Sequence, residues 1–596
     1  MRTLPEQFFL TAEKFGAKTA LKYKLGDTYT DLSFRALAEE VKTAAAAFLA
    51  LGVQPGDRVG ILCENRPEWV ISDLGSLLAG AVNVPIHTTF SPRIIADVLA
   101  NAGCSVLVCS HLEPWRKLSS CLHDRSPLRY VILLDEPQAD ESASAQSRPF
   151  QDQRLISWAD FRSLARPSTS FPPLSPDDVC SILYTSGTTG EPKGVVLTHR
   201  NFLTNAQASL DAVQIQPEDI LLSFLPLSHI LERTGGYYAS LLLGGATVAY
   251  AKSLKELSRN LREVRPTILI AVPRFFESVQ EGVRSKIRQK GVFFARLYDL
   301  TFQREDDRKG KSRLDRWFAR AAAAYFRRKI RKGWGGRLRL AVSGGAALRR
   351  ETAQFLQNIG ITICEGYGLT ETSPVISVNR PGRVKIGTVG EILAGIEVKI
   401  AADGEILTRG PCVTQGYWND PAATCALIGE DGWLRTGDLG AMDDDGYLTI
   451  IGRKKEMLVT SAGKNIWPEP LENLLCASPF IKQSLVLGDR CKYLAALLVP
   501  DWDTLETYAR EQGIPARDRN ALLAHPAVKA LYRGEVDRAT ADAAAFEKIA
   551  KFALLAEEFS PEREEMTPTL KKRRAVIADH YQSLIRELFR SGTAPE

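Results

Sequence analysis

Residues Tyr184 to Gly194 read YTSGTTGEPKG and follow the apolar, strand-like run Cys180-Ser-Ile-Leu183. Gly187, Gly190 and Gly194 let the backbone approach a ligand closely, so that main-chain N–H groups can point at phosphate oxygens. Thr185, Ser186, Thr188 and Thr189 add hydroxyl donors, and Lys193 adds a cation. A triphosphate needs such a set, because its negative charges must be solvated and oriented by fixed donors. The spacing is not that of a Walker loop, which requires Gly-x4-Gly-Lys-Ser/Thr. Taken alone, a Gly/Thr-rich run is more often an ordinary loop.

Further blocks change that reading. Leu225-Pro-Leu-Ser-His229, Ser343-Gly-Gly-Ala-Ala347, Glu365-Gly-Tyr-Gly-Leu-Thr-Glu371, Thr436-Gly-Asp438 and Ile451-Gly-Arg-Lys-Lys-Glu456 follow in order. Ser461 to Glu469 (SAGKNIWPE) and Met566 to Arg574 (MTPTLKKRR) complete the series. With the glycine-rich loop, these resemble the signature of the adenylate-forming (AMP-binding) superfamily over nearly the whole chain. Ile230 to Tyr238 and the C-terminal blocks are similar to its long-chain fatty acid–CoA ligase branch.

The resemblance implies a chemistry and places residues in it. A fatty acid would be activated with ATP as its acyl-adenylate, with release of pyrophosphate, and then passed to coenzyme A. Thr185, Ser186, Gly187, Thr188, Thr189, Gly190 and Lys193 would hold the phosphates. His229 would lie near the acyl and adenylate groups. Gly344, Gly345 and Ala346 would lie against the adenine, where flat packing of a base on backbone requires small residues. Tyr367 would stack on that base, Thr370 would bind the α-phosphate, and Glu371 would hold Mg²⁺, with Thr185 as a further oxygen donor. Asp438 supplies a carboxylate suited to the ribose hydroxyls, as an acidic residue does in dinucleotide folds. Arg453 would reach the ribose or phosphate, and Lys455 falls where the family has its hinge. Gly463 would line the pantetheine channel; Ala462 replaces a glycine often found there. Lys571 is assigned as the adenylation lysine, with its neighbour Lys572 as the alternative. In the family, rotation of the C-terminal domain withdraws that lysine for the second half-reaction. Tyr237 and Tyr238 suit either a gate to the acyl tunnel or core packing.

Two rival readings remain open from the residues alone. A fatty acyl-AMP ligase would share the first step and deliver the acyl group to a carrier protein. A catalytically silent nucleotide-binding scaffold at membranes should have lost Thr370, Glu371 or the terminal lysine, and all are present.

The elements that must position these residues follow an α/β rhythm. Phe34, Leu37, Val41, Ala44, Ala45 and Phe48 fall at helical spacing, with Ser33 placed to cap the start and Gly52 to end it. Arg58 to Cys63 reads as a strand, and Asn65 as the cap of a helix through Trp69, Leu74 and Leu77. Strands follow at Ala81 to Ile86, Val106 to Cys109 and Val131 to Leu134. Such alternation favours parallel strands with helical crossovers. Past Gly382, short strands with Gly/Asp turns suggest a small β-barrel or sandwich. The expected fold is therefore α/β. Residues 1–452 form a large N-terminal domain of two α/β subdomains plus a β-barrel-like part at about 382–450. The remainder, 453–596, returns to a mixed α/β pattern, and the resemblance implies that it is a smaller, mobile α+β C-terminal domain.

Length and composition fit this scheme. A chain of 596 residues exceeds one core, and 45% apolar with 24% charged residues is ordinary for a globular enzyme. No run of about 18 apolar residues is long enough for a membrane-spanning helix. The N-terminus shows no secretory signal, and ten cysteines without a CxxC pair suit a reducing cytoplasm. Glu277 to Leu340 carries nineteen Lys/Arg against seven Asp/Glu, interleaved with aromatic residues. A solvated helical hairpin and a peripheral contact with an anionic membrane both suit that stretch. No recognition motif accompanies the charge, so nucleic acid is not an expected partner. The oligomeric state is open, a homodimer included.

Overall fold

The structure is a computed structural model that describes residues 2–122, 126–135, 152–167, 169–185, 192–289, 291, 324–515, 518–560, 562–566 and 572–590. Contacts divide the chain into two units. The first takes in residues 1–399, 407–435 and 442–449, and the second 400–406, 436–441 and 450–596.

Two large sheets organise the first unit. One has eight strands, in the order Gly416–Tyr417, Lys193–Thr198, Val179–Thr185, Val82–Pro85, Arg58–Leu62, Cys104–Cys109, Tyr130–Leu133 and Leu155–Ser157. Its five strands from Val82–Pro85 to Leu155–Ser157 run parallel. Val82–Pro85 and Cys104–Cys109 are buried along their whole length, as strands covered on both faces must be, and the polar Asn83 among them is hydrogen-bonded to Asp73 and Ser181. The other sheet has nine strands. Its centre, Thr362–Gly368, Leu340–Ser343, Ile268–Ala271, Ile220–Ser223 and Thr247–Tyr250, is also parallel. The phosphate-loop strand departs from the expected crossover pattern. Val179–Thr185 pairs antiparallel with Lys193–Thr198 in a hairpin, while it runs parallel to Val82–Pro85 on its other side.

Local signals explain the first crossovers. Ser33 Oγ accepts the Ala36 N–H at 3.2 Å and starts the helix Phe34–Ala50, which buries the face that its spacing predicts. The chain turns away at Gly52, where φ is +82°. This helix packs on Pro67–Leu78, where a Cβ at Gly75 would lie 2.8 Å from the Ala44 methyl. Glycine is therefore what lets the two helices approach. Asn65 does not cap Pro67–Leu78; Arg66 is the cap residue and makes no side-chain cap bond. The Asn65 amide is spent elsewhere. It donates to Leu225 O at 2.6 Å and Ser223 Oγ at 3.0 Å, and accepts the Leu227 N–H at 2.9 Å.

After His229 the chain winds as a π-helix, Glu232–Leu243. Tyr237 and Tyr238 on it are fully buried, so core packing wins over the gate. Tyr237 meets Trp69 edge-on, and Tyr238 does the same with Phe202. Between these rings lies Arg233, with no exposed surface. Its guanidinium donates to Asp73 Oδ1 at 2.8 Å, Ser181 Oγ at 2.8 Å and the Tyr238 hydroxyl at 2.9 Å. The Tyr238 hydroxyl donates to Asp73 Oδ2 at 3.0 Å, and Asn83 joins Asp73 to Ser181.

Past Gly382, Glu391–Ile392 joins the edge of the nine-stranded sheet. Glu397–Ile400, Glu405–Arg409, Leu434–Met442 and Leu448–Arg453 form a four-stranded sheet, in that order, where a barrel-like part is expected. The second unit holds a three-stranded sheet of Ile481–Leu487, Leu494–Pro500 and Ile549–Leu554, with helices packed on it. Among the described residues no helix is long and apolar enough to cross a membrane. Residues 136–149 of the polar loop, and 290 and 292–323 of the basic stretch, lie outside the described residues. Of the aromatics in that stretch, Phe326 is buried and Tyr325 is exposed.

Removing one partner of a buried ion pair strands the other charge, at a cost of about 3–5 kcal/mol. Arg233→Leu should therefore lower the unfolding free energy of the first unit by that order, and with it the urea midpoint, followed by tryptophan fluorescence. A wild-type midpoint would show that Asp73 needs no cation.

Candidate active site

The signature blocks of the first unit cluster at strand ends. The glycine-rich loop follows Thr185, Leu225–His229 follows Ser223, Gly344–Ala346 follows Ser343, and Thr370–Glu371 follows Gly368. In the eight-stranded sheet the order reverses at Arg58–Leu62, and in the nine-stranded sheet at Ile220–Ser223. Carboxyl ends of parallel strands at such reversals form the crevice where α/β sheets bind ligands. Asn65, just past Leu62, ties the two sets of ends together through Leu225 and Leu227. His87, just past Pro85, does the same through Ser228 Oγ at 2.8 Å.

The hairpin stem is held tightly. Thr185 faces Lys193 and Tyr184 faces Gly194 across the strands. A Cβ at Gly194 would come within 2.7 Å of Ile182 Cγ2, so only glycine closes the stem. Ser186, Gly187, Thr188, Thr189 and Gly190 lie outside the described residues.

The Glu365–Glu371 block is built around a narrow turn. A Cβ on Gly368 would fall on the Pro374 carbonyl oxygen, far inside van der Waals contact. Leu369 N–H donates to that carbonyl at 3.0 Å, and Thr370–Thr372 forms one turn of 3₁₀ helix. The helix His199–Val213 anchors it. Asn205 donates to Val375 O at 2.7 Å, and Asn201 donates to Pro411 O at 2.8 Å and Val413 O at 3.0 Å. Thr414 N–H donates to Glu371 O at 2.8 Å, and the Tyr417 hydroxyl donates to Glu371 Oε1 at 2.8 Å. Tyr367 faces Ser377 across Thr362–Gly368 and Val375–Val378.

Gly345 sits in the left-handed region at φ +87°, in the loop Gly344–Ala346. Glu365 holds the far end of that loop, accepting the Leu348 N–H at 2.8 Å. Burial pushes its carboxyl up to about 7. His229 Nδ1 accepts the Leu231 N–H at 3.3 Å, which leaves the ring proton on Nε2. Its ring centroid lies 6.2 Å from that of His87, whose pKa burial lowers to about 4. Burial pushes Glu232 up to about 8, and its Oε2 has no hydrogen-bond partner among the described residues. From sequence, Asn65 reads only as a helix cap, and His87, Glu365 and Tyr417 are not singled out as site residues. A charged residue ending the buried run Thr362-Ile-Cys-Glu365 is the signal that marks Glu365.

The donors fit a hard cation. Glu371 and Thr185 offer oxygen, and Mg²⁺ binds through one or two carboxylates plus substrate phosphates. Among the described residues no group of three or more His, Cys, Asp or Glu could hold a metal ion.

The second unit carries the remaining candidates. Asp438 is buried and pairs with Arg453 Nε at 3.1 Å, so these two expected ribose contacts are joined. Lys455 is exposed in the turn Lys454–Glu456, while Lys454 pairs with Asp403 and Glu405. Gly463 adopts φ +74° between the strands Leu458–Val459 and Asn465–Ile466, with open space where a Cβ would be. Lys571 lies outside the described residues. Lys572 pairs with Glu472 and donates to Ser484 O at 2.7 Å, and Arg574 pairs with the same carboxylate at 2.6 Å. Burial pushes the Glu472 carboxyl up, but the two cations outweigh it and hold it below the usual range.

A sequence profile described as AMP-binding enzyme matches residues 8–418, and one for the AMP-binding enzyme C-terminal domain matches 455–593. The chain belongs to the AMP-binding enzyme family. Within that family it is 35% identical over 575 residues to the long-chain-fatty-acid–CoA ligase FadD15 of Mycobacterium tuberculosis, covering 94% of this chain and 92% of that one. It is 33% identical over 562 residues to long chain acyl-CoA synthetase 6, peroxisomal, of Arabidopsis thaliana, covering 90% and 78%. The fold is that of the anthranilate CoA ligase AuaEII in complex with anthranoyl-AMP, with a TM-score of 0.75 at 21% identity over 98% of each chain.

Glu365 generates a pH test. Its folded-state carboxyl is raised from 4.5 to about 7, so the native state holds a proton that the unfolded chain releases. That stabilising contribution is present below about 4.5 and is lost as pH rises to about 7. Glu365→Gln keeps the acceptor for Leu348 and should flatten this part of the stability–pH curve. Glu365→Ala leaves a buried N–H unmet and should cost about 1–3 kcal/mol in denaturant titrations. Parallel curves for wild type and the Gln variant would contradict the raised carboxyl.

Proposed function

We propose that this protein is an ATP-dependent long-chain fatty acid–CoA ligase. The acid attacks the α-phosphate of ATP, pyrophosphate leaves, and the thiol of coenzyme A then displaces AMP from the acyl-adenylate. The observation that carries this reading is the similarity, along nearly the whole chain, to enzymes named as long-chain-fatty-acid–CoA ligases. The gathering of the phosphate stem, Gly344–Ala346, Tyr367, Thr370 and His229 at strand ends supports it.

Carboxylate and triphosphate repel each other, so the site must supply positive charge as they meet. Thr185, Ser186, Gly187, Thr188, Thr189, Gly190 and Lys193 hold the phosphates, and Thr370 binds the α-phosphate. Bound to Glu371 and Thr185, Mg²⁺ would neutralise phosphate charge. His229 presents its Nε2–H to the acyl carboxylate or the adenylate. Asp438 and Arg453 serve the ribose, Lys455 the hinge, and Gly463 the pantetheine arm. Lys571 is the adenylation lysine on this reading. The engagement of Lys572 with Glu472 and Ser484 supports that choice over its neighbour.

The acid is drawn from an anionic membrane surface through the basic stretch at 277–340. The exposed Arg327, Arg328, Lys329, Lys332 and Arg337 support this placement. Ten cysteines without a disulfide support the cytoplasm as the compartment.

ATP–pyrophosphate exchange tests the reading. Palmitate should support exchange far above acetate or an aryl acid, and the reverse order would refute a long-chain substrate. Lys571→Ala should reduce acyl-adenylate formation by about a hundredfold or more while sparing thioester formation from supplied acyl-adenylate. Lys572→Ala should lower the unfolding midpoint yet keep exchange per folded molecule. Interchanged results would give the catalytic role to Lys572.

A further inference from the structure

Glu371 has one side-chain partner among the described residues, the phenol of Tyr417, which donates to Oε1 at 2.8 Å. Tyr417 comes from a two-residue strand, Gly416–Tyr417, on the edge of the eight-stranded sheet. Its backbone is pinned twice. It pairs with Val195 across the strand Lys193–Thr198, and its N–H donates to Thr424 Oγ1 at 2.9 Å. Side chains alternate along a strand, so Lys193 shares a face with Val195 and stands diagonal to Tyr417. Accordingly the Lys193 ammonium lies 5.1 Å from the centroid of the Tyr417 ring. One half-buried side chain therefore touches the base of the phosphate hairpin with its ring and the Glu371 carboxylate with its hydroxyl.

We propose that Tyr417 is a positioning residue for Glu371. Its phenol holds Oε1 and so turns Oε2 toward a divalent ion, while its ring keeps Lys193 beside the same triphosphate. The inference rests on reading Glu371 as the ligand of that ion. A carboxylate that ligates a metal is fixed by hydrogen bonds from residues behind it, and losing such a bond typically weakens metal affinity by about 10–100-fold. Phenylalanine at 417 keeps the ring over Lys193 and deletes only the hydroxyl.

The test uses the full-length protein and Mn²⁺ as a spectroscopic substitute for Mg²⁺. Binding of Mn²⁺ in the presence of ATP is followed by electron paramagnetic resonance, and binding of metal-free AMP by calorimetry. Tyr417→Phe should weaken Mn²⁺ binding about tenfold or more and leave AMP affinity as in wild type. The Mg²⁺ concentration for half-maximal pyrophosphate exchange should rise in step, with little change in the maximal rate. A merely structural role would lower AMP affinity as well. Glu371→Gln separates the two levels of the argument. If it weakens Mn²⁺ binding while Tyr417→Phe does not, the role of Tyr417 is refuted and that of Glu371 stands. If Glu371→Gln binds Mn²⁺ as wild type does, the metal-ligand reading falls and the inference with it. Adding Tyr417→Phe to Glu371→Gln should bring no further loss, and a further loss would overturn an action through that carboxylate.

Discussion

A guanidinium sealed from water must have its N–H groups met by protein, because desolvating an unpaired cation is costly. Arg233 meets this demand with Asp73, Ser181 and Tyr238. Those partners come from the helix Pro67–Leu78, the phosphate-hairpin strand Val179–Thr185 and the π-helix that follows His229. The hairpin and His229 cannot shift apart without opening this cluster. Asn65 and His87 repeat the principle nearer the crevice with shorter side chains, tying the carboxyl ends of the two sheets together through Leu225, Leu227 and Ser228. The site is thus rigid where its two sheets meet.

Charge is distributed with equal economy. His87 and Glu232 are uncharged at neutral pH because burial disfavours their ionised forms, and Glu365 is poised near neutrality for the same reason. The charges left facing the crevice belong to residues such as Lys193 and Glu371, which are only partly covered. On the proposed function, a nucleotide entering there would meet Lys193 and Glu371 at defined places. In a site of low dielectric constant, that arrangement gives every remaining charge more effect than it would have in water.

Much of this was legible in the sequence, for physical reasons that also mark where legibility ended. Continuous apolar runs such as Cys104-Ser-Val-Leu-Val-Cys109 announce covered parallel strands. Ser33 and Gly52 announce the ends of a helix because capping and left-handed backbone are local chemistry. The signature blocks were legible as blocks, and their loops fall at strand ends. Asn65 was misread, since an asparagine before Pro67 looks like a cap while its true partners lie about 160 residues away. Tyr417 and His87 were passed over for the same reason: each acts through a long-range bond that no local spacing announces. Glu365 differs, since a carboxylate ending an apolar run is a local mark. The antiparallel pairing behind the phosphate loop was hidden too, because alternation of strand and helix says nothing about a strand that turns straight back. Tyr237 and Tyr238 could not be assigned between tunnel and core until Trp69, Phe202 and Arg233 were found around them.

The narrow turn at Gly368 has a consequence for how such a chain can vary. Any β-carbon there would displace the Pro374 carbonyl, which receives the Leu369 N–H and fixes the loop carrying Thr370 and Glu371. Drift at this position is closed to all nineteen other side chains, by shape alone and whatever acid is bound. Variation in such a lineage is therefore barred at this turn by geometry, and the backbone that carries Thr370 and Glu371 is inherited as a unit.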